Sequence, residues 1–360
     1  MKVLHIINSL NVGGAEVLLK DTLLLLNTKG IHSDVYILSK TDSFLEQELL
    51  RQNITVFSSN NGSVYSMTHV KPILKLIPKY DLVHVHLFPA QLFVALAKKL
   101  SKSNVPLVTT EHSTFNRRRK PQYWLLDFLM YKNYNGVICI SDAVRESLLR
   151  WQPSLRHKTV IVENGIDVER FNIKKGEHPF QKDDNHIYVA SVGRFFAEKD
   201  QSTLIRAIAK NDLFKLVLIG EGPLQVELTE LCTKLNIRDR VIFLGKRDDV
   251  PSVLKHVDIY VQPSIWEGFG IATVEAMSSG LPVIISDIPG LREIVGECGI
   301  LFKVGDSEEL YGKLMLLAND RELREKMACL SKQRARKYDI RSTVVSLIEK
   351  YSKILGDLRG

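Results

Sequence analysis

The chain has 360 residues, 45% of them apolar, which allows two α/β domains with full cores and excludes a disordered or low-complexity chain. Its longest apolar-rich run, Leu87 to Ala97, is broken by Pro89 and Gln91, short of the roughly 18–20 residues of a membrane span; Cys139, Cys232, Cys298 and Cys329 show no C-x-x-C spacing, which argues against structural zinc and disulfides and fits a reducing cytosol. Of the net charge of +8, residues 1–170 carry +7 and the remainder +1, so the first half should face an acidic partner: anionic lipid, a pyrophosphate-linked acceptor or nucleic acid.

Met1 to Gly14 reads as a strand, Val3–Ile7, and a polar, glycine-bearing loop, not as a signal peptide. A helix over Ala15–Leu26 follows, and Gly13 and Gly14 would bring backbone N–H groups to a phosphate at its start. By itself G-G-A-E is more often a tight turn. Strands are expected at Asp34–Leu38, Ile54–Phe57, Leu82–His86 and Leu107–Thr110, with helices at Phe44–Gln52, Val70–Ile77 and Ala90–Leu100. This alternation predicts a parallel, doubly wound sheet that binds ligands beyond its C-terminal strand ends. His84 and His86 alternate on D-L-V-H-V-H-L and share one face, as acceptor-side or core residues. His112 ends the next strand in T-E-H-S, where a histidine taken alone is more often structural.

Four cations, Arg117, Arg118, Arg119 and Lys120, run into an aromatic helix with Tyr123, Trp124, Phe128 and Tyr131. That composition suits docking on an anionic membrane surface or acceptor, or equally a solvated loop before a core helix. No nucleic-acid motif accompanies it, so nucleic acid is not expected as a partner. A strand at Gly136–Ile140 leads to a helix from about Asp142 to Trp151, capped by Ser141 and Asp142. Thr159–Val162 closes the first domain, and residues 171–186 read as a linker.

The second domain starts with the strand Ile187–Val192 and the loop Gly193-Arg194-Phe-Phe-Ala-Glu-Lys199-Asp200. Two fixed cations there suit an anionic ligand. The strand Lys215–Ile219 ends in the turn Gly220-Glu221-Gly222-Pro223, and Val241–Leu244 ends at Gly245, beside Lys246 and Arg247. Asp183-Asp184 and Asp248-Asp249 are expected to be solvated rather than metal-binding. The run Ser264 to Gly290 reads S-I-W-E-G-F-G-I-A-T-V-E-A-M-S-S-G-L-P-V-I-I-S-D-I-P-G: a glycine loop, a helix through Glu275 to Met277, and a strand at Val283–Ile285. Glu267 and Glu275 are placed to bind vicinal sugar hydroxyls, with Gly268 and Gly270 leaving backbone accessible. Helices at Glu308–Leu317, Arg321–Tyr338 and Ser342–Leu355 end the chain.

E-G-F-G-x-x-x-x-E-A-M-x-x-G-x-P-V-I, with seven residues between its two glutamates, resembles the signature of the retaining nucleotide-sugar glycosyltransferases of family four. G-R-x-x-x-x-K-D and N-G-I-D resemble that family's diphosphate loop and interdomain connection. The resemblance implies a GT-B fold: two Rossmann-like domains, 1–170 for the acceptor and 187–339 for the nucleotide sugar, facing a central cleft that closes on substrate. Residues 340–360 would cross back to the first domain. It implies that Arg194 and Lys199 hold the diphosphate beside Gly193, that Glu275 binds the ribose, and that Glu267 and His112 bind the donor sugar. Gly13, Gly14, Gly268, Phe269 and Gly270 would line the phosphates and sugar, and Gly245 and Lys246 the base. Expected partners are a nucleotide-diphosphate sugar, uridine favoured over guanosine, and a glycan or lipid-linked acceptor; no cofactor and no metal are expected. The enzyme would be cytoplasmic, peripheral at the inner face of the membrane. Rival readings are a non-catalytic relative acting as a binding subunit and a nicotinamide-dependent oxidoreductase; the absence of G-x-G-x-x-G disfavours the latter.

Overall fold

The computed structural model describes residues 1–11, 13–59, 63–172 and 179–357. It divides into two compact units, residues 1–165 with 340–360, and residues 166–339. Of the expected linker, residues 173–178 lie outside the described residues.

In chain order the first unit holds β1 (Lys2–Ile7), α1 (Gly14–Thr28), β2 (His32–Ile37), α2 (Phe44–Arg51), β3 (Val56–Ser58), α3 (Val70–Leu76), β4 (Leu82–His86), α4 (Ala90–Ser101), β5 (Leu107–Glu111), α5 (Trp124–Lys132), β6 (Gly136–Cys139), α6 (Asp142–Trp151) and β7 (Thr159–Ile161). Its seven strands are all parallel, in the order β3-β2-β1-β4-β5-β6-β7. Helices on both faces bury these strands, which is why they read as apolar runs rather than alternating ones. Ile7, Leu19, Leu23, Val35, Ile37 and Leu49 form one face of the core, each 3% exposed or less. Burying each such side chain contributes about 1.5–3 kcal/mol. Ser141 caps α6 as expected, its hydroxyl accepting from the Val144 N–H at 3.2 Å.

The second unit holds β8 (Ile187–Val192), α7 (Gln201–Ile208), β9 (Phe214–Ile219), α8 (Gln225–Lys234), β10 (Val241–Phe243), α9 (Val250–Leu254), β11 (Ile259–Gln262), α10 (Ile271–Ser278), β12 (Val283–Ser286), α11 (Pro289–Val295), β13 (Gly299–Phe302), α12 (Ser307–Asn319) and α13 (Arg321–Ala335). Its sheet is again parallel, ordered β10-β9-β8-β11-β12-β13. The helix expected to reach Tyr338 stops at Ala335, and a tight 3-10 turn covers Arg336–Tyr338. The last helix, α14 (Ile340–Asp357), belongs to the first unit and packs against α1. Its Tyr351 hydroxyl lies 2.5 Å from His84 Nδ1 on β4.

These are two Rossmann-like α/β units, each with strand order reversing beside its first strand: between β1 and β4, and between β8 and β11. Loops diverge at such switch points and leave a crevice at the carboxyl ends of the strands.

Candidate active site

In the second unit the switch point separates the loop after β8, carrying Arg194 and Lys199, from the loop after β11, carrying Glu267. The two loops meet: Lys199 Nζ forms an ion pair with Glu267 Oε1, with side-chain exposures of only 20% and 12%. Ser264 Oγ also donates to Glu267, at 2.9 Å, and Gln262 Nε2 at 3.3 Å. The Tyr260 hydroxyl, 2.5 Å from Gln262 Oε1, fixes which way that amide points. Burial, with Glu275 and Glu267 both nearby, holds the Tyr260 phenol well above its usual pKa. A protonated phenol is therefore the donor to Gln262, and both carboxylates lie within its electrostatic reach.

Arg194 is exposed, its guanidinium 4.9 Å from the Phe196 ring centroid. Its loop is held from beneath by the Gly220–Pro223 turn: Phe195 N–H donates to the Glu221 carbonyl at 3.0 Å, and Leu224 N–H to the Phe195 carbonyl at 3.2 Å. Glu221 and Gly222 thus shape the cation loop through the backbone. Gly193 N–H donates to Ile219, and Gly220 N–H to the carbonyl of Gly245, so Gly193 and Gly245 border the same strand ends. Lys246 beside them is exposed.

Gly270 caps α10 with φ +84, a left-handed conformation that side chains resist. Gly268 lies two residues earlier in the same loop. Glu275 is the fifth residue of α10, in its second turn rather than at its start. A Cβ at Gly290 would stand 2.4 Å from the Glu267 carbonyl oxygen; that glycine lets α11 and the Glu267 loop approach. Sequence reading passed over Gly290, Gln262 and Ser264. Gln262 and Ser264 carried a legible signal, polar residues closing an apolar strand directly before the motif.

Phe269 is 3% exposed and packs edge-on against Tyr338, so its ring belongs to the core. Two expectations are corrected. Arg118 and Arg119 are turned inward. Arg118 pairs with the buried Asp127 at 2.5 Å and lies over the Phe88 ring, while Arg119 donates to the Thr114 carbonyl and to Ser147. Only Arg117 and Lys120 of that run are exposed, next to the exposed Tyr123, Trp124, Leu125, Leu126 and Leu129. Asp183 and Asp249 are ion-paired rather than merely solvated, with Lys215 and with Arg247 respectively.

In the first unit Gly13 precedes α1 with an extended backbone and Gly14 is its first residue. Asn8 ties the loops flanking the switch point, its amide donating to the Phe88 carbonyl at 2.8 Å. His84 and His86 are 2% and 6% exposed, and β1 adds a third histidine, His5, at 0%. With the half-buried His112 they line a small cavity of about 40 Å³. Ring nitrogens of His5, His84 and His86 lie within 4.8 Å of one another, a spacing compatible with a metal. Both nitrogens of His84 are, however, taken by hydroxyls, Tyr351 at 2.5 Å and Thr110 at 2.7 Å. Burial drives His5 down to about 3 and His112 to about 4, and His84 and His86 well below 6.5.

Two parallel Rossmann-like units, the second with a cation pair and a glutamate pair at its switch point, define a GT-B glycosyltransferase. A model of glycosyltransferase family 4 matches residues 12–170, and a model of glycosyl transferases group 1 matches residues 172–334. The chain belongs to this glycosyltransferase family. It is 28% identical over 302 residues to the UDP-Gal:alpha-D-GlcNAc-diphosphoundecaprenol alpha-1,3-galactosyltransferase of Escherichia coli, covering 78% of each chain. It is 27% identical over 307 residues to the putative glycosyltransferase EpsF of Bacillus subtilis, covering 79% of each. In fold it resembles Anabaena HepE, solved with UDP-glucose, with a TM-score of 0.84 at 23% identity over 98% of this chain and 100% of that one.

Proposed function

We propose that the chain moves a hexosyl or N-acetylhexosaminyl group from a uridine diphosphate sugar to a hydroxyl of a glycan or lipid-linked acceptor, retaining the anomeric configuration. The observation that carries this reading is the Lys199–Glu267 contact across the switch point of the second unit. It sets a cation, for a diphosphate, against a carboxylate, for sugar hydroxyls. Lys199 and Arg194 take up the charge that develops on the leaving diphosphate, so no metal is required for departure. Glu275 accepts from the ribose hydroxyls. Glu267 orients the sugar and steadies positive charge at the anomeric carbon. His112 bonds a sugar hydroxyl, and Gly13, Gly14, Gly193, Gly268 and Gly270 leave backbone near the phosphates. The leaving phosphate itself takes the acceptor's proton.

The preference for uridine rests on the donor named for the E. coli relative and on the nucleotide bound in HepE. The lipid-linked acceptor, and a place in surface-polysaccharide or lipid-linked oligosaccharide synthesis, rest on the same relative. Among the described residues no helix is long and apolar enough to cross a membrane. We place the enzyme at the cytoplasmic face, docked through Trp124, Leu125, Leu126 and Leu129 with Arg117 and Lys120 beside them. Each such cation adds about 1 kcal/mol at an anionic surface.

The test is calorimetric titration of the full chain with UDP and with GDP. Tighter UDP binding that is lost in Lys199→Ala supports the reading. Unchanged UDP binding in Lys199→Ala would overturn it.

A further inference from the structure

The imidazoles of the first unit form a continuous chain. His5 Nδ1 lies 3.3 Å from His86 Nε2, and His86 Nδ1 lies 3.3 Å from His112 Nε2. His86 uses one nitrogen for each neighbour, so the contacts run in series from the core outward to His112. His84 stands outside the series, since Tyr351 and Thr110 occupy both its nitrogens. Burial keeps all three linked rings uncharged near neutral pH. A neutral imidazole carries one N–H and one bare nitrogen, and each contact holds one hydrogen. The three tautomers are therefore coupled: fixing one fixes the others.

Two directions are possible for the series, and its buried end decides between them. Among the described residues His5 Nε2 is buried with no protein partner. A proton there would be a buried donor with no protein acceptor, whereas a bare nitrogen is an unmet acceptor, the less costly of the two to leave unpaired. The proton of His5 accordingly sits on Nδ1 and donates to His86 Nε2. The proton of His86 then sits on Nδ1 and donates to His112 Nε2, and His112 must carry its own proton on Nδ1.

We propose that His5 and His86 are positioning residues that lock His112 in its Nδ1–H tautomer, so that His112 meets its ligand as a hydrogen-bond donor to an oxygen such as a sugar hydroxyl. The functional half of this rests on His112 belonging to the donor site; the tautomer lock does not.

The test is ¹⁵N NMR of the histidine rings in the labelled full-length chain at pH 7. The wild type is expected to show His112 as a single Nδ1–H tautomer. His5→Phe, which removes the anchoring donor, is expected to give a mixture, and His5→Asn, whose amide keeps an N–H near the place of Nδ1, to restore the single tautomer. In parallel, UDP release from UDP-glucose should fall about 3–10-fold in kcat/KM in His5→Phe, the worth of one net hydrogen bond, and recover most of that loss in His5→Asn. A wild-type His112 protonated on Nε2, or tautomers unmoved by His5→Phe, overturns the proposal, and the wild-type spectrum decides the first point even if no variant folds. Full UDP release in His112→Ala would instead remove His112 from the donor site while leaving the lock intact.

Discussion

Acidification should unfold the first unit well before its carboxylates titrate. His5, His84 and His86 are 0%, 2% and 6% exposed and are neutral in the folded chain, His5 falling to about 3 and the others well below the ordinary 6.5. Once unfolded, each takes up a proton near 6.5. Below that pH the unfolded state binds more protons than the folded one, so stability is lost as pH falls. At pH 5 the His5 ring costs about 2 kcal/mol relative to pH 7.5, a figure set by the unfolded value and insensitive to how far the folded one lies below 5. His84 and His86, also held below the ordinary value by burial, add to the loss in the same direction, against a margin of about 5–15 kcal/mol typical of a domain. Trp124 and Trp151 lie in the first unit and Trp266 in the second. Urea unfolding of a Trp266→Phe background, followed by tryptophan fluorescence, therefore reports the first unit. The slope of stability against pH between 5 and 6 should drop by about 1 kcal/mol per pH unit when His5→Phe is added. Parallel slopes with and without His5 would refute the claim that this ring is held uncharged.

Other outcomes follow from the same geometry. Glu267→Gln and Lys199→Ala should each lower transfer at least 100-fold, as losses of transition-state charge stabilisation commonly do, with circular dichroism unchanged; turnover within a few-fold of wild type in either would remove that residue from the chemistry. Gly290→Ala should weaken UDP-sugar binding because its new Cβ meets the Glu267 backbone at 2.4 Å; calorimetry with unaltered affinity would show that the loop yields at no cost. Arg118→Ala leaves the buried Asp127 with the Trp151 N–H but no paired cation and should destabilise by about 3 kcal/mol, whereas Arg117→Ala should cost under about 0.5 kcal/mol; equal thermal shifts would contradict the inward placement. Leu125→Asp with Leu129→Asp should abolish flotation with anionic liposomes, and flotation equal to wild type would exclude this face as the docking surface.

The second unit was the more legible because its site is built from residues near in sequence. Glycine loop, helix and strand from Ser264 to Gly290 form one local unit, and the loop from Gly193 to Lys199 another, so each could be recognised by its resemblance to a short family motif. That the two loops meet through Lys199 and Glu267 followed only from β8 pairing with β11. The first unit hid more. His5 stands in an apolar run, V-L-H-I-I, and nothing local links it to a ring 81 residues away. The four cations read as one exposed run, because the partners that draw two of them inward, Asp127 and Ser147, lie 9 and 28 residues downstream. The buried role of Phe269 was missed for a similar reason: its partner Tyr338 comes after four further helices.

The link between His84 and Tyr351 spans 267 positions. During synthesis the amino-terminal unit must wait for α14, and for the Tyr351 hydroxyl beside His84, until ribosomes have finished everything that intervenes. Residues 166–339 form an uninterrupted stretch and are free to mature first, so the half that is made earlier is the half that is completed last.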